Sequence, residues 1–381
     1  MKELNTLPRK QRFMSTIMIV FFWVVVFVSA AEMILRSNCS YCTWMEENSG
    51  RYSSPYAIKE DSWYRLRPAN LIDSYQQPEF DYELRTNSLG LRDIEHPLEK
   101  GVDEIRLLAI GDSFTEGQGA PFDDTWLSVL GRNLNRTGGE GRYTVIAGGV
   151  AGSDPFYEYR LLMDTLLAYQ PDIVMLALNA SDINDTILRG GNERFLPGNR
   201  VRGISDAPSG VLVWLYEHSH FSRFILFETV DFTHLLMTKS ERARRAVDAR
   251  KKVESLIIEL DTQLTERGIK FILVVMPTSK ETEHDQYDDV TDLQALLDTV
   301  NAGGVFTIDT KPYLVKKMQE DGITRDDLYW PMDYHFTPLG YRIAGKAVHQ
   351  GLCRSEALLV EGCDSKPQPS DGHDDSAKLS M

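Results

Sequence analysis

The sequence predicts an α/β protein: a three-layer α/β/α domain on a mostly parallel five-stranded sheet, preceded by an N-terminal transmembrane helix. Three observations carry that expectation. Short, nearly continuous apolar runs alternate with stretches of helical apolar spacing. The runs lack the in–out alternation of a one-sided sheet, so their strands are expected to be buried on both faces, as parallel strands are. Residues 13–31 form an uncharged run of about nineteen, mostly Ile, Val, Phe, Met and Trp, close to the length that crosses a bilayer.

Lys2, Arg9, Lys10 and Arg12 precede that run and Glu32 follows it. The basic flank assigns residues 1–12 to the cytoplasm and sends the rest of the chain outward. Val28-Ser29-Ala30 also permits signal-peptide cleavage, but the length and aromatic content of the run favour an uncleaved anchor. Residues 32–100 read as a stalk, rich in Ser, Tyr and Glu to about residue 65, and then a small β-rich lead-in. Phe80-Asp81-Tyr82-Glu83-Leu84-Arg85 belongs to that lead-in, and Asn87-Ser88-Leu89-Gly90 is a turn signal. The lead-in is expected to cover an edge strand rather than to line a cleft.

The main domain is assigned to residues 101–355. Its first strand, 105–110, stops at Gly111-Asp112-Ser113. A helix over 124–135 follows, with Asp123 or Asp124 as cap and Gly138-Gly139 as its end. The second strand, 143–147, runs into Gly148-Gly149-Val150-Ala151-Gly152, and a helix covers about 155–169. The third strand, 173–178, ends at Asn179. An insertion spans about 186–240. Residues 190–208 read as a surface loop, and the aromatic-rich residues 210–237, with His218, His220 and His234, predict a helix on the sheet domain or near the membrane. A charged helix over 239–267 carries an apolar stripe and stops at Gly268. Then come a strand over 271–276, a helix near 289–300, a short strand over 305–308 running into Asp309, a helix near 312–318, a loop over 330–340 and a closing helix to about residue 352. Residues 356–381 form a polar tail expected to be disordered.

The net charge of −15 excludes nucleic acid as a partner, since no basic field exists to neutralise phosphates. No zinc-type Cys/His pairing and no Walker-type Gly-Lys-Ser/Thr is present, so neither metal nor cofactor is expected. The four cysteines, Cys39, Cys42, Cys353 and Cys363, suit an exported protein. Cys353 with Cys363 would close a short loop, and the pairing stays open on sequence grounds.

The chemistry sits at the strand ends. Strand one delivers Ser113, strand two Gly148, Gly149 and Gly152, strand three Asn179, Ser181, Asp182 and Asn184, and the last loop Asp333 and His335. A hydroxyl, backbone donors without side chains, polar donors and a carboxylate–imidazole pair are the parts of an acyl-transfer site. Gly111-Asp112-Ser113-Phe114-Thr115-Glu116-Gly117, Gly149 within Ala147-Gly148-Gly149, and Asp333-Tyr334-His335 resemble, in order, motifs of the SGNH (GDSL-type) esterases and acyltransferases. Asn87-Ser88-Leu89-Gly90-Leu91-Arg92 resembles a feature of their membrane-anchored bacterial members.

The resemblance covers residues 80 to 350 or so and implies a flavodoxin-like SGNH fold in a bacterial inner-membrane protein with its domain in the periplasm or outside the cell. It implies Ser113 as nucleophile, His335 as general base and Asp333 as the carboxylate that orients it. The N–H groups of Ser113 and Gly149 would serve the oxyanion hole. The family's Gly-x-Asn-Asp motif places its third donor at Ser181, with Asn179 and Asn184 as nearby substitutes. The acid also precedes the His by two residues rather than the more usual three. The implied substrate is an O-acylated, foremost O-acetylated, envelope or extracellular glycan. An O-acetyltransferase of an exported polysaccharide is one alternative. A catalytically weak glycan-binding component working with polysaccharide-assembly proteins is another, favoured by Ser at position 181.

Overall fold

The structure, a computed structural model, describes residues 9–38, 60–62, 66–139, 141–197, 200–202, 209–230, 236–283, 287 and 292–354. Helix α1 (Arg9–Asn38) and strand β1 (Glu60–Ser62) precede a hairpin of β2 (Ile72–Gln76) and β3 (Asp81–Arg85). Then come β4 (Ile105–Gly111), the single-turn α2 (Ser113–Glu116), α3 (Trp126–Gly138), β5 (Tyr143–Gly149), α4 (Pro155–Asp164), β6 (Ile173–Leu178) and α5 (Ala180–Arg189). Strands β7 (Phe195–Leu196) and β8 (Arg200–Arg202) lead to α6 (Gly210–His218), α7 (His220–Phe224) and α8 (Lys239–Glu266). The remaining elements are β9 (Lys270–Val275), α9 (Ser279–Thr282), α10 (Leu293–Ala302), β10 (Thr307–Asp309), α11 (Lys311–Asp321), α12 (Arg325–Leu328) and α13 (Pro338–Arg354). The described residues fall into two compact units, one drawn from 64–184 and 250–381, the other from 1–63 and 185–249.

The larger unit holds a five-stranded sheet in the order β10-β9-β6-β4-β5, with every neighbouring pair parallel. Taken in chain succession those strands run 2-1-3-4-5 across the sheet, the flavodoxin-like order. The order reverses between β4 and β6, so the crevice for a ligand lies outside the carboxyl ends of those two strands. All five apolar runs became strands because both sheet faces are covered. Leu107, Ala109, Met175, Ile272 and Val274 share one buried cluster with Trp126, Leu130, Leu314, Tyr341 and Val348, from α3, α11 and α13. The alternate residues Leu108, Ile110, Val174, Leu176, Leu273 and Val275 are buried as well. The buried stripes of α4 (Leu161, Leu162) and α8 (Val253, Leu256, Ile257, Leu260, Leu264) make the opposite layer, joined by a bond from Tyr159 Oη to Gln263 Oε1 at 3.2 Å.

Several boundaries differ from the sequence reading for local reasons. Asp123 and Asp124 form a separate 3-10 turn, and the cap of α3 is Thr125, whose side chain accepts from Ser128 N. The helix expected over 155–169 ends at Asp164 and resumes as a 3-10 turn, Leu166–Tyr169. The loop expected over 190–208 contains β7 and β8, which pair antiparallel with each other, and β8 pairs with β1. Helix α1 continues through residues 33–38, where the stalk was expected to begin. The lead-in does reach an edge strand: Asp93 Oδ2 accepts the N–H of Ala147 on β5 at 2.7 Å. It also bears on the loop carrying Asp333, as described below. Cys353 is disulfide-bonded. Cys39, Cys42, Cys363, His234 and the tail over 356–381 lie outside the described residues.

In the smaller unit, α1 is the one described helix long and apolar enough to cross a membrane, over Phe13–Ser37. Its apolar side chains are exposed, Phe21 at 68% and Phe27 at 66%. A small core of Tyr216 and Leu236 has Leu188, Val213, Leu226 and Phe227 packed against it.

One charge is built into the sheet itself. Arg106, the second residue of β4, is fully buried. Its guanidinium donates to both Glu104 carboxylate oxygens (2.9 and 3.1 Å) and to the carbonyls of Leu98, Glu99 and Tyr169 (3.1, 2.8 and 2.8 Å). The bond from Arg106 is the main reason the Glu104 carboxyl is held down to about 2. A carboxyl lowered on folding stabilises the fold above its ordinary range and loses that contribution as pH falls towards the folded value. Glu104→Gln is therefore expected to lower the urea midpoint at neutral pH, with the gap to the parent closing between about pH 4.5 and 2. A gap of constant size across that range would rule out this linkage.

Candidate active site

Ser113 is the first residue of α2, directly beyond β4 at the switch point of the sheet. Asp112 caps the helix, its Oδ1 accepting Phe114 N at 2.9 Å. The N–H of Ser113 thus sits at a helix start, where backbone donors have no partner within the helix. Two glycines let α2 press against the sheet. A Cβ on Gly111 would stand 2.2 Å from Thr115 Oγ1, and one on Gly149 would stand 2.2 Å from Glu116 N. Gly149 was read as keeping an N–H clear for an oxyanion; its steric necessity is this contact with α2.

Ser113 Oγ lies 2.6 Å from His335 Nε2, and His335 Nδ1 lies 2.5 Å from Asp333 Oδ1. The three residues come from the start of α2 and from the loop between α12 and α13, over two hundred positions apart in sequence. The imidazole packs on Phe114, with ring centroids 4.9 Å apart. Asp309, which also follows a strand, is engaged elsewhere: its Oδ1 accepts Tyr287 Oη at 2.6 Å and Lys311 N at 3.0 Å.

The two-residue spacing from acid to imidazole works through Tyr334, which has φ +67°. A left-handed residue between Asp333 and His335 folds the carboxylate back onto Nδ1. The loop is bracketed by the Tyr329–Phe336 bridge and by Trp330 N donating to His335 O at 2.9 Å. Glu79, in the β2–β3 turn, accepts Met332 N (3.0 Å) and Asp333 N (2.8 Å). Phe80 lies against Trp330 with centroids 5.4 Å apart. The lead-in is thus part of the frame of the site, and the expectation that it only covers an edge strand is corrected.

Two residues join the site that the sequence reading missed. Gln118 Nε2 donates to Asp333 Oδ2 at 3.1 Å and lies 3.3 Å from His335 Nδ1. Glu116 is buried, accepts Arg67 (2.5 and 3.0 Å), and accepts Ala151 N at 2.7 Å in the loop after β5. Glu116 stands in the first motif, so its place was visible; no sequence signal marks Gln118.

The stretch after β6 is tied to the end of β4. Asn179 Nδ2 donates to Asp112 Oδ2 at 3.0 Å. Ser181 N and Ser181 Oγ both donate to Asn179 Oδ1, at 2.7 and 2.5 Å, and Ser181 Oγ lies 3.5 Å from Asp112 Oδ2. A hydroxyl has one proton, and Asn179 Oδ1 and Asp112 Oδ2 are the acceptors that of Ser181 has within reach here. The side chain of Asn184 reaches back to Ala180 O at 3.4 Å. Burial pushes the Asp112 carboxyl up, opposed by the bonds from Asn179 and Phe114 and by the neighbouring His335. Asn179, Ser181 and Asp112 thus form a network beside the serine.

Residues 109–343 match the model of the GDSL-like Lipase/Acylhydrolase family. No curated protein matches the chain. Similar solved structures include a catalytic mutant of Axe2, an acetylxylan esterase from Geobacillus stearothermophilus (15% identity, 65% of this chain and 93% of that one, TM-score 0.40). Others are a member of the lipolytic protein G-D-S-L family from Veillonella parvula (12%, 66% and 100%, 0.39) and the lipase/acylhydrolase from Enterococcus faecalis (15%, 65% and 95%, 0.36).

Two substitutions test the geometry, both read by the rate at which a fluorophosphonate labels Ser113. Ser181→Ala is expected to change that rate less than about threefold, against the factor of about 100 or more that loss of a true oxyanion donor costs. Tyr334→Gly, free to adopt positive φ, is expected to stay within about twofold of the parent. Tyr334→Ile, β-branched and disfavoured there, is expected to fall at least about tenfold by displacing Asp333. Equal rates for the Gly and Ile variants would remove the left-handed residue from the account.

Proposed function

This chain belongs to the GDSL-like lipase/acylhydrolase family, and on that premise we propose that it is a serine esterase removing acyl groups, foremost O-acetyl, from an envelope or extracellular glycan. The observation that carries the reading is the unbroken line from Ser113 Oγ to His335 Nε2 and from His335 Nδ1 to Asp333, at 2.6 and 2.5 Å. In this reading His335 takes the proton of Ser113 as Oγ attacks the acyl carbonyl, and Asp333 stabilises the imidazolium that forms. The tetrahedral oxyanion is met by the N–H groups of Ser113 and Gly149. His335 then returns its proton to the departing sugar oxygen. Water, activated by the same imidazole, releases the acyl group from Ser113. Gln118, bonded to Asp333, orients the carboxylate.

The glycan part of the proposal rests on the sequence resemblance and on α1. As an anchor with the basic residues 2–12 in the cytoplasm, α1 would hold the catalytic residues on the far side of a bacterial inner membrane. Transfer of the acyl group to a sugar hydroxyl, instead of to water, is an outcome the test distinguishes.

The full chain in detergent or nanodiscs, supplied with p-nitrophenyl acetate and with O-acetylated polysaccharide, is expected to release acetate. Ser113→Ala is expected to lower kcat by about six orders of magnitude. Acetate release unchanged in Ser113→Ala would defeat the proposal. Acetyl appearing on an added glycan acceptor, with little free acetate, would convert it to transfer.

A further inference from the structure

Within the smaller unit, two charged residues near the C-terminal end of α1 hold the junction between α6 and α7. Ser219 caps α7, its side chain accepting Ser222 N. The first two N–H groups of α7, those of His220 and Phe221, are taken by the Glu32 carboxylate at 3.0 and 2.8 Å, and Ser219 Oγ donates to it at 2.9 Å. Arg36, one turn further along α1, donates to Glu32 Oε1 at 2.7 Å and to the carbonyl of His218, the last residue of α6, at 2.8 Å. Both orphaned helix ends, the amides of α7 and a carbonyl of α6, are thus satisfied by α1.

The contact continues down the apolar part of α1. Phe221 meets Phe27 edge-on, with ring centroids 6.2 Å apart at 88°. Phe27 stands five residues before Glu32, or about 7 to 8 Å along the helix towards its apolar middle. Helix α6, Gly210–His218, is too short to cross a bilayer, yet all its residues before Glu217 are uncharged and most are apolar. Its inner side carries the buried Tyr216 and the partly buried Val213 of the small core. On another side Val211 and Trp214, three residues apart, are 69% and 58% exposed, and the Trp214 ring stacks on His218 at 5.1 Å. Exposed Trp on a short apolar helix, tied to the end of a membrane-length helix, is the composition of a bilayer interface.

We propose that α6 and α7 lie in the outer interface of the bilayer that α1 crosses, with Val211 and Trp214 inserted among the lipid headgroups. The inference rests on the reading of α1 as a membrane anchor. The partner is the lipid surface itself, held by apolar insertion. A chain of net charge −15 gains nothing from anionic headgroups, so insertion is expected in zwitterionic and anionic bilayers alike.

The test uses the full chain in phosphatidylcholine nanodiscs and in nanodiscs with added phosphatidylglycerol, each doped with nitroxide lipids that quench either near the headgroups or at the bilayer centre. Difference spectra against Trp214→Phe and Trp23→Phe isolate the two indoles. Trp23 is expected to be quenched best from the centre. Trp214 is expected to be quenched best from the headgroup level, equally in both lipid mixtures. Quenching of Trp23 with none of Trp214 overturns the interface proposal and leaves the anchor standing. Absence of quenching at Trp23 overturns both. Glu32→Ala is expected to abolish the Trp214 signal and keep that of Trp23, with fluorophosphonate labelling of Ser113 as the check that the catalytic residues remain assembled. Unchanged Trp214 quenching in a labelled Glu32→Ala protein would overturn the role given to Glu32.

Discussion

The active edge of this sheet depends on a helix turn being able to touch a strand end. Helix α2 is wedged against the ends of β4 and β5, and it fits because Gly111 and Gly149 have no Cβ to collide with Thr115 and Glu116. Everything else at the site follows from that approach. It sets Ser113 at a helix start with its hydroxyl towards His335. It brings Glu116 within reach of Ala151 N, so the loop after β5 is tied to the helix that follows β4. It also exposes a ring of carbonyls, those of Glu116, Gly117 and Ala120, which the buried Arg92 binds from the lead-in at 3.2, 2.6 and 2.6 Å. A methyl group at either glycine would push α2, which carries the serine, away from the strand ends.

That constraint explains which parts of the molecule were legible. The five strands were visible because burial on both faces leaves an apolar run that no helix of similar length needs. That Ser113, Asp333 and His335 meet was foreshadowed by a hydroxyl directly after a strand and a carboxylate–imidazole pair in the last loop. The cap of α3 was not: Asp123, Asp124 and Thr125 are three successive residues able to cap, and only the 3-10 turn at Phe122–Asp124 decides for Thr125. Arg106 was illegible because its acceptors include Tyr169, sixty-three positions away, and an apolar strand pattern does not announce a guanidinium. The network of Ser181 was illegible for a related reason: its register suggests a donor, while its contact with Asn179 and the bond from Asn179 to Asp112 depend on how neighbouring strand ends meet.

The loop carrying Asp333 shows how a departure from a motif is accommodated. The acid and imidazole, two residues apart, meet with Tyr334 at φ +67°, at a cost of about 1 to 2 kcal/mol for a residue with a Cβ. Glu79 supplies the compensation. Its carboxylate accepts the N–H groups of Met332 and Asp333, and hydrogen bonds to an ionised group contribute about 1.5 to 3 kcal/mol each, discounted here because Met332 is exposed. Two such bonds suffice to offset the strain. Trp330 Nε1 on Gly119 O and Tyr341 Oη on Gln118 O, both at 2.9 Å, hold the same loop and the start of α13 against the segment after α2. The lead-in therefore bears on the site: its turn supplies the carboxylate that holds the loop in which acid and imidazole, two residues apart, meet at 2.5 Å.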